Sequence, residues 1–389
     1  VRVALIYKRY ALNGGSERQL SMLARDLAER GHEVHVFCRS VRADPPPGVV
    51  LHVMPAMPLT GVGALFAFSR WARWACARFE RRDGRFDVRH AYGRTLGQDV
   101  YRVGGGCHRT YLEHAHAIDR PAWWRRWARR APGQLLKANL EERALRNEPT
   151  PWVITNSGMV RNDLLFRYDL APEQVTVVHN GVDLDRFRPP GHGERDATRA
   201  EWGVDPEDEV VLFLGTGYAR KGLEPTLRAV RLLADKREAV RLVVAGRDGR
   251  QRFWQALAQR LGIASRIIWV GPTSRPEACY HGADVYALPT AYDPAANSTL
   301  EALATGLPVV TSAMNGAAEI LDDGVHGSVL SCPVHPVDMA AALASWLERR
   351  REPGLAACNR ERAERYPAGQ SCEQILDVYR AMLDHRCRP

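Results

Sequence analysis

The stretch Glu209-Val210-Val211-Leu212-Phe213-Leu214-Gly215-Thr216-Gly217-Tyr218-Ala219-Arg220-Lys221-Gly222 passes from an apolar run through two glycines to a pair of cations. Val210 to Leu214 reads as a strand, and Gly215-Thr216-Gly217 as a turn. Leu223 to Leu233 follows with helical apolar spacing, and Val240 to Ala245 returns as a strand. A strand, a helix and a second strand in that order make one βαβ unit, the building block of a parallel sheet.

The same plan opens the chain. Val1 to Tyr7 is an apolar strand, Asn13-Gly14-Gly15 a turn, and Ser16 starts a helix with Leu20, Leu23 and Leu27 on one side. Gly31 ends that helix and Glu33 to Cys38 is the next strand. Beyond the second opening, strands are predicted at Ile267 to Val270, Val285 to Leu288 and Pro308 to Thr311, with a helix from about Ser298 to Ala304 between the last two. Between the two openings lies Val177-Val178-His179-Asn180-Gly181-Val182-Asp183-Leu184-Asp185-Arg186-Phe187, where Asn180-Gly181 is a turn signal, followed by a Pro189-Pro190-Gly191 linker. A chain of 389 residues is too long for one core, so two domains are expected, 1–187 and 188–370. A C-terminal helix in 371–389 is expected to pack back on the first.

Composition narrows the class. Hydrophobic residues at 45% and charged residues at 25% describe a globular protein. No apolar run reaches membrane-spanning length, and the opening VRVALIY reads as a buried strand, not a signal peptide. The eight cysteines form no C-x-x-C pair, which suits free thiols in a reducing compartment. The net charge of +9 is Arg-heavy and concentrated in the first 150 residues, pointing to an anionic partner.

Open parallel sheets bind ligands at the carboxyl ends of their strands, where helix N-termini aim positive dipole and free N–H groups at anions. Three turns qualify. Gly14-Gly15-Ser16-Glu17 lets a ligand approach backbone closely, or is only a tight turn with Ser16 and Gln19 as a capping box. Gly215 to Gly222 sets Arg220 and Lys221 beside a helix start, unfavourable unless an anion arrives. It is neither a P-loop nor a complete dinucleotide fingerprint. The third is Asp293-Pro294-Ala295-Ala296-Asn297-Ser298-Thr299-Leu300-Glu301, whose two carboxylates could each grip a vicinal diol. Alternatively, Ser298 and Glu301 form a capping box. Asp183-Leu184-Asp185 has a D-x-D look, but no further carboxylates flank it and no metal site is expected.

In this order and spacing, these features resemble the family 4 retaining glycosyltransferases of the GT-B fold, along almost the whole chain. Asn180-Gly181-Val182-Asp183…Phe187 is similar to that family's interdomain element, Lys221-Gly222 to its K-G, Asp293 to Glu301 to its E-x7-E, and Glu301 to Pro308 to its E-A-x-A-x-G-x-P. Within the family the likeness leans to bacterial enzymes that glucosylate the inner-core heptose of lipopolysaccharide. The opening YKRY…NGGSERQL, the Arg220-Lys221 pair and Arg94 to Tyr101 carry that leaning.

The resemblance implies an α/β protein of two Rossmann-like domains, their parallel sheets facing across an interdomain cleft. It implies no cofactor and no metal, only a nucleotide-sugar co-substrate, UDP-linked by preference. Arg220 and Lys221 would neutralise the donor diphosphate and act in catalysis, with Asp99 and His108 aligning the acceptor. Glu301 would bind ribose hydroxyls and Asp293 the transferred sugar. Backbone near Gly14, Gly15, Gly215, Ala296, Asn297 and Ser298 would cradle phosphate or sugar, and Thr273 lies in the loop that meets the base. Asp293 is one methylene shorter than the family's usual Glu, and Ala296 stands where Gly is common. Both departures bear on the sugar pocket.

One segment stands apart. Arg120-Pro121-Ala122-Trp123-Trp124-Arg125-Arg126-Trp127-Ala128-Arg129-Arg130 gathers Trp123, Trp124 and Trp127 on one side of a helical wheel, with Arg125, Arg126, Arg129 and Arg130 around the rest. Trp with Arg suits an anionic membrane surface, and Arg70 to Arg82 adds a second such stretch. No nucleic-acid-binding motif accompanies it. The expectation is a cytoplasmic enzyme, peripheral on the inner face of the membrane, meeting a lipid-linked or lipopolysaccharide-core acceptor. The alternatives are a nucleotide-sugar epimerase of the same fold, which needs no acceptor, and an inactive carbohydrate- or lipid-binding relative.

Overall fold

The computed structural model describes residues 1–12, 14–114, 131–146 and 149–386. The chain divides into two compact units, Val1–Asn180 with Gly369–Pro389, and Gly181–Ala368.

The first unit is built on a seven-stranded sheet in the spatial order Val49–Val53, Glu33–Cys38, Arg2–Ile6, Val88–Ala91, Val100–Arg102, Trp152–Thr155, Val175–Val177. Every pairing in it is parallel. Side chains along the first strand alternate between two cores, as a pleated strand requires. Val3 and Leu5 join Leu20, Leu23 and Leu27 of the helix Gly15–Glu29 on one face. Ala4 and Ile6 join Phe68, Ala72 and Cys76 of the helix Gly61–Asp83 on the other.

The C-terminal helix Gln370–Arg386 belongs to this unit. Cys372, Ile375, Tyr379 and Met382 enter the first of those cores, and the Tyr379 hydroxyl lies 2.7 Å from His90 Nδ1.

The second unit carries six parallel strands in the order Ile267–Gly271, Val240–Ala245, Glu209–Leu214, Val285–Leu288, Val309–Ser312, Gly327–Leu330. In sequence rank that is 3-2-1-4-5-6, the doubly wound order. Its central strand is sealed on both faces, with Val210, Val211, Leu212 and Phe213 fully buried. Strand order reverses between Glu209–Leu214 and Val285–Leu288, so the crevice for a ligand opens beyond their carboxyl ends.

The boundary falls at Asn180 and Gly181, not near Phe187. Phe187 is 1% exposed within the core of the second unit, and Val182 is anchored there by Val182 N–H to Tyr366 O (2.9 Å) and Ala368 N–H to Val182 O (3.0 Å). Those apolar anchors pull the Asn-Gly element's sequel into the second unit, so Pro189-Pro190-Gly191 is an internal connection leading to the helix Glu194–Trp202. Asp183 Oδ1 accepts the Arg186 N–H at 3.1 Å, so that carboxylate closes a local turn.

Candidate functional site

The two loops at the switch point of the second unit are laced together. After Leu214, Gly217 takes a left-handed conformation, a single turn Tyr218–Lys221 follows, and Gly222 turns left-handed again before the helix Leu223–Ala234. A side chain at Gly222 would meet Pro289 O at 2.1 Å, so this glycine is what lets the loop lie on the end of the strand Val285–Leu288. Arg220 O accepts both Ala291 N–H (2.9 Å) and the Thr290 hydroxyl (3.0 Å). Tyr218 N–H is fixed by Asp248 (2.7 Å), and the Tyr218 hydroxyl donates to Gly246 O (3.0 Å).

This lacing brings Arg220 and Lys221 onto Asp293. Arg220 Nη1 donates to Asp293 Oδ2 at 2.9 Å and to Tyr292 O at 2.9 Å, and the Lys221 ammonium contacts the same carboxylate oxygen. Lys221 and Asp293 are both buried, the lysine stem passing over Gly215. Burial pushes the Asp293 carboxyl up, but the charges of Lys221 and Arg220 outweigh it and hold the group below the usual carboxylate range. Burial pulls the Lys221 ammonium down against the attraction of Asp293. Two cations share one carboxylate, and the Glu301 charge reaches Lys221 as well, so the cluster is balanced while its cationic groups stand at the end of the switch-point crevice.

The far wall is the helix Asn297–Ala304. It has no side-chain cap, so the Ser298–Glu301 capping box is not formed; Ala296 is the N-cap and Ser298 sits inside the helix, two positions too late to cap it. Glu301 is held instead by the Tyr280 hydroxyl at 2.9 Å, and its charge reaches Lys221. Burial and Glu301 together hold the Tyr280 phenol well above its ordinary pKa, so it remains a donor.

Asn315 fixes the start of this helix. Its Oδ1 accepts Ala296 N–H (3.2 Å) and Ala317 N–H (3.1 Å), while Nδ2 donates to Thr299 (2.9 Å) and Thr311 (3.0 Å). The Ala296 N–H is therefore already taken and does not cradle a ligand, contrary to the sequence expectation. Asn315 and Tyr280 are the residues that sequence reasoning missed. The Asn315-Gly316 pair is a turn signal, but nothing in spacing shows that its amide serves four groups at once. Thr273, at the carboxyl end of the edge strand Ile267–Gly271, accepts Arg275 N–H at 3.0 Å within its own turn.

In the first unit, Gly14 (φ +105°) precedes the helix Gly15–Glu29, which likewise lacks a side-chain cap, so the Ser16–Gln19 box is not formed either. His108 opens the helix His108–His114, just beyond the carboxyl end of the strand Val100–Arg102. Its N–H goes to the buried Glu141 (2.8 Å), and its Nε2 lies 3.0 Å from Gln134 Oε1. Asp99 is a correction. It stands before the amino end of Val100–Arg102, on the opposite edge of the sheet from the ligand-binding ends. Its carboxylate is occupied by Arg89 (2.9 Å) and Arg386 (2.5 Å) and by the Arg89 N–H (2.7 Å), so it pins the C-terminal helix instead of aligning an acceptor. Trp123, Trp124, Arg125, Arg126, Trp127, Arg129 and Arg130 lie outside the described residues. Among those described, no helix is long and apolar enough to cross a membrane.

Known proteins resemble this chain in sequence and in fold. A family model described as Glycosyl transferases group 1 matches residues 194–365, and one described as Glycosyltransferase Family 4 matches residues 13–186. D-inositol 3-phosphate glycosyltransferase from Mycolicibacterium smegmatis is 30% identical over 397 residues, spanning 96% of this chain and 88% of the relative. The protein of the same description from Mycobacterium marinum is 30% identical over 384 residues, spanning 94% and 80%. Among solved structures, WaaG, a glycosyltransferase involved in lipopolysaccharide biosynthesis, superposes with a TM-score of 0.81 at 22% identity, over 97% of this chain and 99% of WaaG. HepE from Anabaena, in complex with UDP-glucose, gives 0.70 at 18% identity over 98% and 99%. At those identities the two structures share the fold.

Proposed function

We propose, on the premise that this chain belongs to the family 4 glycosyltransferases of the GT-B fold, that it is a retaining, metal-independent hexosyltransferase. The donor is a nucleoside-diphosphate hexose, UDP-glucose first, and the acceptor a lipopolysaccharide-core or other lipid-linked glycan. The observation that carries the donor site is the convergence of Arg220 and Lys221 at the switch point of the second unit, with one carboxylate between them.

In this reading an acceptor hydroxyl attacks the anomeric carbon on the face the diphosphate leaves. The C1–O bond to phosphate breaks as the new glycosidic bond forms, and the acceptor proton passes to a donor phosphate oxygen. Negative charge grows on the departing diphosphate, where Arg220 and Lys221 stabilise it. They take the role a bound metal would fill elsewhere. Glu301, set by Tyr280, takes the ribose hydroxyls. Asp293 takes sugar hydroxyls with the oxygen that the two cations leave over, and its short side chain keeps it close to them. His108 remains the acceptor-side candidate.

A second reading of the acceptor has its own support. Sequence relatives are described as inositol phosphate glycosyltransferases, and Lys8, Arg9 and Arg39 line a cavity of about 380 Å³ in the first unit. Those cations suit a phosphorylated polyol.

The test is a turnover panel in EDTA with UDP-glucose, UDP-galactose, UDP-N-acetylglucosamine, GDP-mannose and ADP-heptose, each with truncated lipopolysaccharide, with inositol phosphate, or with neither. Release of nucleoside diphosphate from UDP-glucose that depends on the lipopolysaccharide acceptor, with the α-anomer retained in product, is expected. Release that depends on inositol phosphate transfers the assignment to the second reading. Donor conversion with no acceptor would make the chain an epimerase and overturn both.

A further inference from the structure

The helix Gly61–Asp83 lies beside Val49–Val53, the edge strand of the first unit's sheet. Its inner side is spent on the core through Phe68, Ala72 and Cys76. Between helix and strand runs a groove of about 610 Å³, walled by Leu51, Val53, Trp71, Trp74 and Phe79, with Arg78 and Arg82 at its rim. Val53 and Trp74, which line it, are 49% and 54% exposed; Val50 on the same strand and Met57, which lines the cavity of Lys8, Arg9 and Arg39, are 48% and 46% exposed. An edge strand ordinarily carries charge or proline to discourage association; this one shows valines to solvent beside an exposed tryptophan.

The charge around this apolar strip is mostly positive, with Asp83 as the carboxylate lining the groove. Arg70, Arg73, Arg78, Arg81, Arg82 and Arg85 are all exposed, and none of them meets a carboxylate among the described residues. Arg78 lies over the Trp74 ring at 5.6 Å. On another helix an exposed arginine is paired one turn away, Arg228 with Glu224. The arginines of this helix, with Arg85 just beyond it, form a local cationic field around an apolar groove.

We propose that this face is a docking surface for a bilayer rich in anionic phospholipid. The arginines meet headgroup phosphates, while Trp74, Val50, Val53 and Met57 reach the boundary with the acyl chains. A second copy of the chain fits poorly, because a two-fold interface here would set the same arginines against one another. A nucleic acid would satisfy the arginines but leave the valines and Met57 in water. The surface deepens the lipid-linked acceptor reading, while standing apart from the donor site.

The test uses the full chain, sedimented with vesicles of phosphatidylcholine alone and with about one third phosphatidylglycerol. Partition onto the anionic vesicles should be at least ~10-fold stronger and should weaken with salt. Trp74→Ala, and separately Arg78→Glu with Arg82→Glu, should each lower it ~5-fold or more with unchanged thermal melting, since all three side chains are exposed. Equal binding to neutral vesicles overturns the proposal. So does wild-type binding by these variants, including the case in which only replacing Trp123, Trp124 and Trp127 abolishes it, which would put the membrane contact on that segment. Displacement by an oligonucleotide that itself depends on Arg78 and Arg82 but not on Trp74 overturns it in favour of nucleic acid. Donor turnover with a soluble acceptor, measured on the same variants, separates failure of docking from failure of the transferase reading.

Discussion

Replacing Lys221 with alanine should lower kcat by about a hundredfold or more, the loss typical of removing one fixed donor to a transition-state charge. The ammonium is buried, faces Asp293 and Arg220, and feels the charge of Glu301. It is therefore placed before a substrate arrives and does not reorganise during the reaction. In water a lone cation would be worth far less, because solvent screens it. The unit should still fold, since Asp293 keeps Arg220 as its counter-charge at 2.9 Å. Lys221→Arg should recover only part of the rate, because a planar guanidinium does not replace a compact ammonium over Gly215. Steady-state kinetics with saturating donor and acceptor read this directly. Near-normal turnover of the alanine variant would remove the diphosphate site from this position.

Gly222→Ala should destabilise the second unit by more than about 3 kcal/mol and abolish donor binding with it. Two effects add. The residue holds φ at +86°, which an L side chain resists, and its added methyl group would stand 2.1 Å from Pro289 O. Relief requires the two switch-point loops to part, breaking the bonds from Ala291 N–H and the Thr290 hydroxyl to Arg220 O. Gly217→Ala is the control. It has a similar φ of +78° but open space around the new atom, so it should cost only about 1–2 kcal/mol. Thermal or denaturant unfolding of the two variants separates steric exclusion from backbone strain. Equal losses would mean that the close approach to Pro289 does not hold the site together.

Much of the fold was legible because its determinants are local. Val210 to Leu214 is apolar at every position and bounded by Gly215, so its place at the centre of a sheet could be read directly. Gly217 and Gly222 announced a turn, and both are left-handed. The cation pair Arg220-Lys221 beside that turn pointed to an anion, and the structure supplies one from within the chain, the carboxylate of Asp293. What could not be read depends on contacts between distant residues. Ser298 and Glu301 have capping-box spacing, but Tyr280, from another helix, claims the carboxylate. Ala296 seemed available to a ligand until Asn315, nineteen positions on, took its N–H. Asp99 carries the same chemistry at either end of a strand, and only the sheet shows that it stands at the amino end with Arg89 and Arg386. The boundary moved for a related reason: Phe187 looks like the close of one domain, yet with Val182 it packs into the core of the next.

The central claim is that the switch point of the second unit binds the diphosphate of a nucleotide sugar without a metal. Calorimetric titration of UDP, GDP and ADP into the protein in EDTA, beside the Lys221→Ala variant, tests it most directly. Saturable binding of one of the three, UDP first, weakened at least ~10-fold in the variant, is the expected result. Equal affinity in wild type and variant, or no binding of any diphosphate by wild-type protein that melts cooperatively, would contradict it.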